Sequence, residues 1–305
     1  DISYREALFC IEDDEKSGGG CPFMKVQTVG VLGCGLMGSG IAQVCAQAGY
    51  ETIVREVDDF QLQNGIVKIE KFLNDSVERN KITITSRDET LMKLKGTTEL
   101  EDLRGCDLVI EAIVERIEDK KCVLQAVEGI LSEQALLFSN TSSLCITELA
   151  TAIKRPDRFG GLHFFSPVPV MRLVEIIRGL LTSAETVRSA VTFTRSIGKE
   201  STIAPDRPGF IVNRLLIPYL LSAVRAYEAQ IGTLEDIDKS MTLGCGHPMG
   251  PFELLDFVGL DTAYYISTIM YEEFRDSAYA PPPLLKRMVL AGRLGRKTGE
   301  GFYRY

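Results

Sequence analysis

TVGVLGCGLMGSGIAQ, residues 28–43, carries an apolar run into three spaced glycines and then into a helical pattern. Alone, a G-x-G-x-x-G turn is also an ordinary tight connection between a strand and a helix. Two features in register decide between these readings. The run opens an alternation of strands and helices, so Gly33, Gly35 and Gly38 stand where the first strand feeds a helix N-terminus. The next strand-like run, ETIVREV, ends in an acid, Glu56, 23 residues after Gly33. That spacing brings a carboxylate to a ribose hydroxyl. Glycines let the backbone approach a pyrophosphate, whose charge then rests on the helix N-terminus. The stretch therefore predicts a dinucleotide site. Glu56 would repel a 2′-phosphate, which favours NAD over NADP, and alternation sends Arg55 to the other face of its strand.

Outward from this turn the alternation continues. Residues 59–79 read as a long polar helix, CDLVIEAIVE and ALLFSNTS as strands separated by a helix over about 117–131, and FGGLHFF and RLVEIIR as two more strands. A further helix is expected behind the capping pattern Thr182-x-x-Glu185. Apolar strands alternating with helices imply an α/β, Rossmann-type, mostly parallel sheet covered on both faces. After PDRPGF the texture becomes helical, with Thr233-x-x-Asp236 opening one segment and no convincing strand before the C-terminal end. The expected organisation is an extension or linker over 1–23, an NAD-binding domain over 24–206 and an all-helical domain over 207–305.

Composition bounds the function. The 305 residues are 45% hydrophobic and 25% charged, ordinary for a globular protein with one large or two modest domains. A net charge of −8 argues against a nucleic-acid partner, which needs a basic face. Eight scattered cysteines without a C-x-x-C pair, and only two histidines, predict no metal site and a reducing compartment. No run of about 18 apolar residues predicts a membrane span, and the acidic start resembles neither a signal nor a transit peptide. The expected location is the cytoplasm, or the mitochondrial matrix if a targeting peptide has been removed before Asp1.

Oxidation of an alcohol by hydride transfer also needs a base working near neutral pH, for which histidine is the usual choice. His247 lies in the glycine- and proline-rich turn GCGHPMG, which favours a structural role. His163 ends FGGLH and is either a core histidine or the base. Glu175, flanked by apolar residues in RLVEIIR, is costly to bury without a partner, and an imidazole is a suitable one. Ser142 follows a buried strand at the carboxyl end, where open α/β sheets bind ligands, although Ser143 would serve equally. Asn213 shares a helical stripe with Leu216, Ile217 and Leu220, as a packing hydrogen bond or as a ligand contact.

Together these motifs resemble the 3-hydroxyacyl-CoA dehydrogenase family, most closely its short-chain 3-hydroxybutyryl-CoA branch. The resemblance covers residues 24–305 through GCGLMGSGIAQ, DLVIEAIVE, SNTSSL, GLHFFSPVPVMRLVEII, PGFIVNRLL, HPMGPFELLDFVGLD and GRKTGEGFY. It implies His163 as general base, Glu175 as its orienting carboxylate, Ser142 on the substrate oxygen and Asn213 completing the site. For NAD it implies the turn Gly33, Gly35, Leu36, Met37 and Gly38, then Glu56, Glu115, Lys120, Ser142, Ser166 and Lys297. Arg79 would serve the CoA phosphates with Lys68 and Lys71, if that helix face is more than a solvated one. The resemblance also implies an acyl-CoA substrate of (S) configuration and a homodimer formed through the helical domain.

Two positions depart from the family pattern. Ser166 stands where the family carries an asparagine on the nicotinamide side, and Phe72 where it carries a CoA-contacting serine. Two other readings remain beside the enzyme: a dehydrogenase of a free 3-hydroxy acid, whose usual catalytic lysine motif is not evident here, and a non-catalytic dinucleotide-binding protein.

Overall fold

The computed structural model describes residues 26–305, so the extension expected over 1–23 lies outside the described residues. Two compact units divide the chain after Asp206.

The first unit is built on one eight-stranded sheet: β1 (Thr28–Leu32), β2 (Glu51–Arg55), β3 (Leu94–Thr97), β4 (Leu108–Glu111), β5 (Leu136–Ser139), β6 (Phe159–Phe164), β7 (Leu173–Arg178) and β8 (Glu200–Pro205). Their order across the sheet is 3-2-1-4-5-6-7-8. Every pairing is parallel except β6 with β7, which run antiparallel. The order reverses beside β1, and that crevice at the carboxyl ends of β1 and β4 is where such sheets take ligands. The helices of this unit are α1 (Leu36–Gln47), α2 (Asp59–Glu78), α3 (Ile84–Met92), α4 (Ile117–Glu128), α5 (Ile146–Ala150) and α6 (Ala184–Ser196). β1, β4, β5 and β6 are buried almost throughout, and Val29, Val31, Ile110, Phe138, Leu162 and Ile176 share one core with Ile41 of α1 and Ile69 of α2.

β3, β8 and α3 stand where no sequence signal marks them. β3 is the outer strand beside β2, four residues with an interior glycine and one buried position. β8 is the opposite outer strand and exposes half its residues. α3 is a short helix with one buried residue, capped by Thr83, whose side chain accepts the Ser86 N–H. The capping pattern at Thr182 is corrected by one residue: Ser183 is the N-cap and accepts from Thr186 N at 3.1 Å. The Thr182 hydroxyl is committed elsewhere, donating to Phe159 O at 2.7 Å and accepting from Gly179 N at 3.0 Å.

The second unit consists of α7 (Val212–Glu228), α8 (Leu234–Cys245), α9 (Pro251–Val258), α10 (Leu260–Phe274) and α11 (Pro283–Leu290), with two short 3-10 turns. Its only strand-like features among the described residues are single bridges, Gly295 to Glu300 and Glu300 to Arg304. Leu220, Leu221, Phe252, Leu255, Leu260 and Met270 form its own core. Thr233 caps α8 by accepting from Asp236 N at 3.1 Å. Among the described residues, no helix is long and apolar enough to cross a membrane.

Candidate active site

The glycine turn between β1 and α1 has a different demand at each glycine. Gly33 takes φ +95°, and a Cβ there would lie 2.6 Å from Ala112 O. A Cβ on Gly38 would fall 1.9 Å from Gly33 O, so the first turn of α1 packs directly on the strand exit. Around Gly35 a Cβ would meet nothing within 4 Å. The backbone is therefore open to an incoming group at Gly35 alone, and exposed Leu36 and half-buried Met37 follow it into α1. Glu56, one residue past β2, closes the turn from the side: its Oε2 accepts from Cys34 N at 2.7 Å and its Oε1 from Val57 N at 2.8 Å. An open backbone at a helix N-terminus with a carboxylate beside it fits a dinucleotide whose ribose keeps its 2′-hydroxyl.

Across the crevice, β4 and β5 end in a buried polar chain. Glu111 and Lys120 are 0% and 1% exposed and pair at 2.6 Å. Glu111 also accepts from Ser139 Oγ at 2.5 Å and Ile113 N at 2.7 Å. Lys120 reaches on to Glu115 Oε2 at 3.2 Å. The other Glu115 oxygen gathers the loop after β5, accepting from Thr141 Oγ1 at 2.5 Å, Ser142 N at 3.0 Å, and Ser142 and Ser143 Oγ at 3.3 Å each. Burial pushes the Glu115 carboxyl up, but Lys120, Thr141 and the Ser142 N–H outweigh it and hold it below its ordinary value. Ser143 is fully buried whereas Ser142 is half-buried, so of the two it is Ser142 that a ligand can reach.

His163 on β6 and Glu175 on β7 lie directly opposite in the antiparallel register. The Nδ1–H donates to Glu175 Oε2 at 2.8 Å, with the residues 5% and 0% exposed. The Phe165 ring packs on the imidazole, ring centroids 4.5 Å apart. Asn140 Oδ1 accepts from Phe164 N at 2.9 Å, tying the end of β6 to the loop that carries Ser142. Ser166 follows, exposed, at a cis peptide bond to Pro167. The structure thus brings the glycine turn, Glu56, Glu115, Lys120, Ser142, His163 and Glu175 to the carboxyl edge of one sheet. Arg79 caps the C-terminus of α2, exposed as Lys68 and Lys71 are, while Phe72 is half-buried.

The remaining predicted residues belong to the second unit. Asn213 is buried in the first turn of α7, and Lys297 pairs with Asp261 at 2.5 Å. His247 meets the Tyr219 hydroxyl through Nδ1 at 3.1 Å. Asp256 explains GRKTGEGFY locally: it accepts from Phe302 N and Tyr303 N at 2.8 Å each and from the Tyr305 hydroxyl at 3.1 Å. Asp238 likewise holds the start of α9 by accepting from Phe252 N at 2.8 Å and Glu253 N at 3.1 Å. Among the described residues no group of histidine, cysteine and acids is placed to hold a metal. The described cysteines are free, and burial pushes the Cys45 thiol up to about 12.

Glu111, Asn140 and Asp206 stand outside the sequence-predicted site. The signal that marks Glu175, a carboxylate among apolar neighbours, is equally present at Glu111 in DLVIEAIV. Asp206 holds the N-terminus of α5, accepting from Ile146 N at 2.9 Å and Thr147 N at 2.7 Å, and nothing in PDRPGF announces this.

A backbone cradle for a pyrophosphate and, at the same sheet edge, an imidazole oriented by a buried carboxylate separate the two products of alcohol oxidation, hydride and proton. That division of labour defines a nicotinamide-dependent dehydrogenase. The chain belongs to the 3-hydroxyacyl-CoA dehydrogenase family: its NAD binding domain matches residues 28–206 and its C-terminal domain residues 209–305. A 3-hydroxybutyryl-CoA dehydrogenase of Mycobacterium tuberculosis is 47% identical over 282 residues, 92% of this chain and 99% of that protein. The human mitochondrial hydroxyacyl-coenzyme A dehydrogenase is 44% identical over 291 residues, 92% and 91% of the two chains. The crystal structure of the (S)-3-hydroxybutyryl-CoA dehydrogenase PaaH1 of Ralstonia eutropha is similar with a TM-score of 0.89 at 42% identity, covering 92% of this chain and 99% of that one.

Proposed function

We propose that this chain catalyses the reversible NAD-dependent oxidation of (S)-3-hydroxyacyl-CoA to 3-oxoacyl-CoA, with 3-hydroxybutyryl-CoA and acetoacetyl-CoA as the preferred pair. The observation that carries it is the buried 2.8 Å pair of His163 Nδ1 and Glu175 Oε2 at the carboxyl edge of an NAD-binding sheet. Bound NAD supplies the acceptor for the hydride that leaves the carbinol carbon. His163 takes the hydroxyl proton on Nε2, because Nδ1 is committed to Glu175. The carboxylate fixes that tautomer and stabilises the imidazolium once the proton has arrived. In the reducing direction the same nitrogen returns the proton to the forming alkoxide.

Ser142, held by Glu115 through its N–H and Oγ, binds the substrate oxygen at the reacting carbon, and Asn213 contributes an amide from the helical unit. Glu56, Glu115, Lys120, Ser166 and Lys297 serve the cofactor, and Arg79 the CoA phosphates. The working form is a homodimer built through the helical unit, in a reducing compartment such as the cytoplasm or the mitochondrial matrix. The test is oxidation of NADH at 340 nm by acetoacetyl-CoA, beside NADPH and a longer 3-oxoacyl-CoA. Rapid turnover with NADH and acetoacetyl-CoA is expected. Cofactor binding without reduction of any acyl-CoA leaves the non-catalytic reading standing.

A further inference from the structure

The segment joining β6 to β7, residues 165–172, leaves His163 and returns to Glu175, and its anchoring lies outside the catalytic pair. Val170 N and Met171 N both donate to Pro167 O, at 2.9 and 3.0 Å, folding the middle of the segment into a compact turn. Val168 is 2% exposed. It rests on α1 at Gly40, where a Cβ would come within 2.8 Å of Val168 Cβ and 3.5 Å of Pro169 Cδ. From the other side comes Lys199, the residue before β8. It is 8% exposed, and its ammonium donates to Val168 O at 2.6 Å and to Met171 O at 2.7 Å.

Among the described residues no carboxylate pairs with Lys199. A buried ammonium satisfied only by carbonyls is an expensive way to hold a loop, since a buried charge is ordinarily paired or left in solvent. Burial also pushes the Lys199 amine below the usual lysine value. Stability alone does not call for a lysine here, whereas a rigid loop does: one cation draws together two carbonyls three residues apart. The first residue of the same segment, Phe165, packs on the His163 ring.

We propose that Lys199 is a positioning residue for the reaction: its ammonium clamps residues 165–172 against Gly40 of the cofactor helix, and through Phe165 the clamped loop holds the His163 imidazole in its reactive orientation. The contribution to turnover rests on the function proposed above; the contribution to the imidazole does not. A shift of the imidazole by a fraction of an ångström leaves the pair intact but spoils its aim at the substrate hydroxyl.

The experiment is Lys199→Met, read in two ways. The protein has two histidines, so ring 15N and NH resonances can be assigned by comparison with His247→Gln, and His247 then serves as an internal control in the other unit. In Lys199→Met the His163 ring signals are expected to shift and broaden while those of His247 stay in place. The kcat for acetoacetyl-CoA reduction should fall about 10- to 100-fold with the KM for NADH within about twofold. Gly40→Ala pushes on the same loop from α1 with Lys199 intact, and it decides the matter if Lys199→Met does not fold. His163 signals that coincide with wild type in the folded variants overturn the clamp. A wild type that turns over no acyl-CoA overturns the proposed function instead, and the resonances still judge the clamp.

Discussion

Glu175 is buried completely and faces a histidine across two antiparallel strands, so its charge serves to hold and balance the imidazole. Glu175→Gln keeps the shape and can still accept from Nδ1–H, but it removes the charge that stabilises the imidazolium. Turnover should fall about 10²–10⁴-fold, with the NADH dissociation constant from fluorescence titration nearly unchanged. A near-wild-type kcat would remove Glu175 from the mechanism. Glu115 makes a different prediction. Its carboxyl is held below its ordinary value of 4.5 in the folded chain, so its contribution to stability is complete above that value and is lost as pH falls through the folded one. Urea unfolding at a series of acid pH values should therefore show a shallower loss of stability in Glu115→Gln than in wild type. An identical slope in the two proteins contradicts this account. The two acids were unequally legible in the sequence. Glu175 stands out among apolar neighbours, whereas the Glu115 partners arrive from 26 to 28 positions away, at Thr141, Ser142 and Ser143. Lys199 in SIGKES reads as a surface lysine, because the carbonyls that bury it belong to a loop 28 to 31 residues upstream.

Elements were legible where burial imposed a pattern. The central strands β1, β4, β5 and β6 are apolar because both faces of the sheet are covered, and the glycines between β1 and α1 mark the turn that fixes the fold. The outer strands β3 and β8 carry no such pattern, since half or more of their residues face outward and pairing, rather than side-chain burial, holds them. The start of α6 shows how one hydroxyl can be mistaken for its neighbour. Thr182 and Ser183 both precede the helix, and only the structure shows that Thr182 serves the Phe159 carbonyl while Ser183 caps. Ser183→Ala should cost about 0.5–2 kcal/mol as a lost N-cap. Thr182→Ala should cost about 1–3 kcal/mol, because it takes away a bond made by a buried carbonyl at the start of β6. Chemical denaturation of both variants measures the pair. A larger loss at Ser183 than at Thr182 would mean that the cap, not the strand carbonyl, dominates this junction.

At the scale of the whole molecule, each unit has a core of its own and its own buried carboxylates: Glu111 and Glu175 in the sheet unit, Asp238 and Asp256 in the helical one. The helical unit nevertheless leaves large apolar side chains outside its core, with Leu215 72%, Leu243 76% and Leu290 76% exposed. Scattered singly these are unremarkable. The proposed homodimer would bury part of this unit's surface, and a dimer makes stability depend on concentration. Sedimentation equilibrium should give twice the 33.7 kDa chain mass. Thermal unfolding should shift to higher temperature as protein concentration rises, because mass action favours the folded dimer over separated chains. Adding NADH at fixed protein concentration should raise the midpoint independently, by about 2.7 kcal/mol of added stability at a hundred times its dissociation constant. A 33.7 kDa species whose midpoint ignores protein concentration yet responds to NADH would retain the cofactor site and reject the dimer.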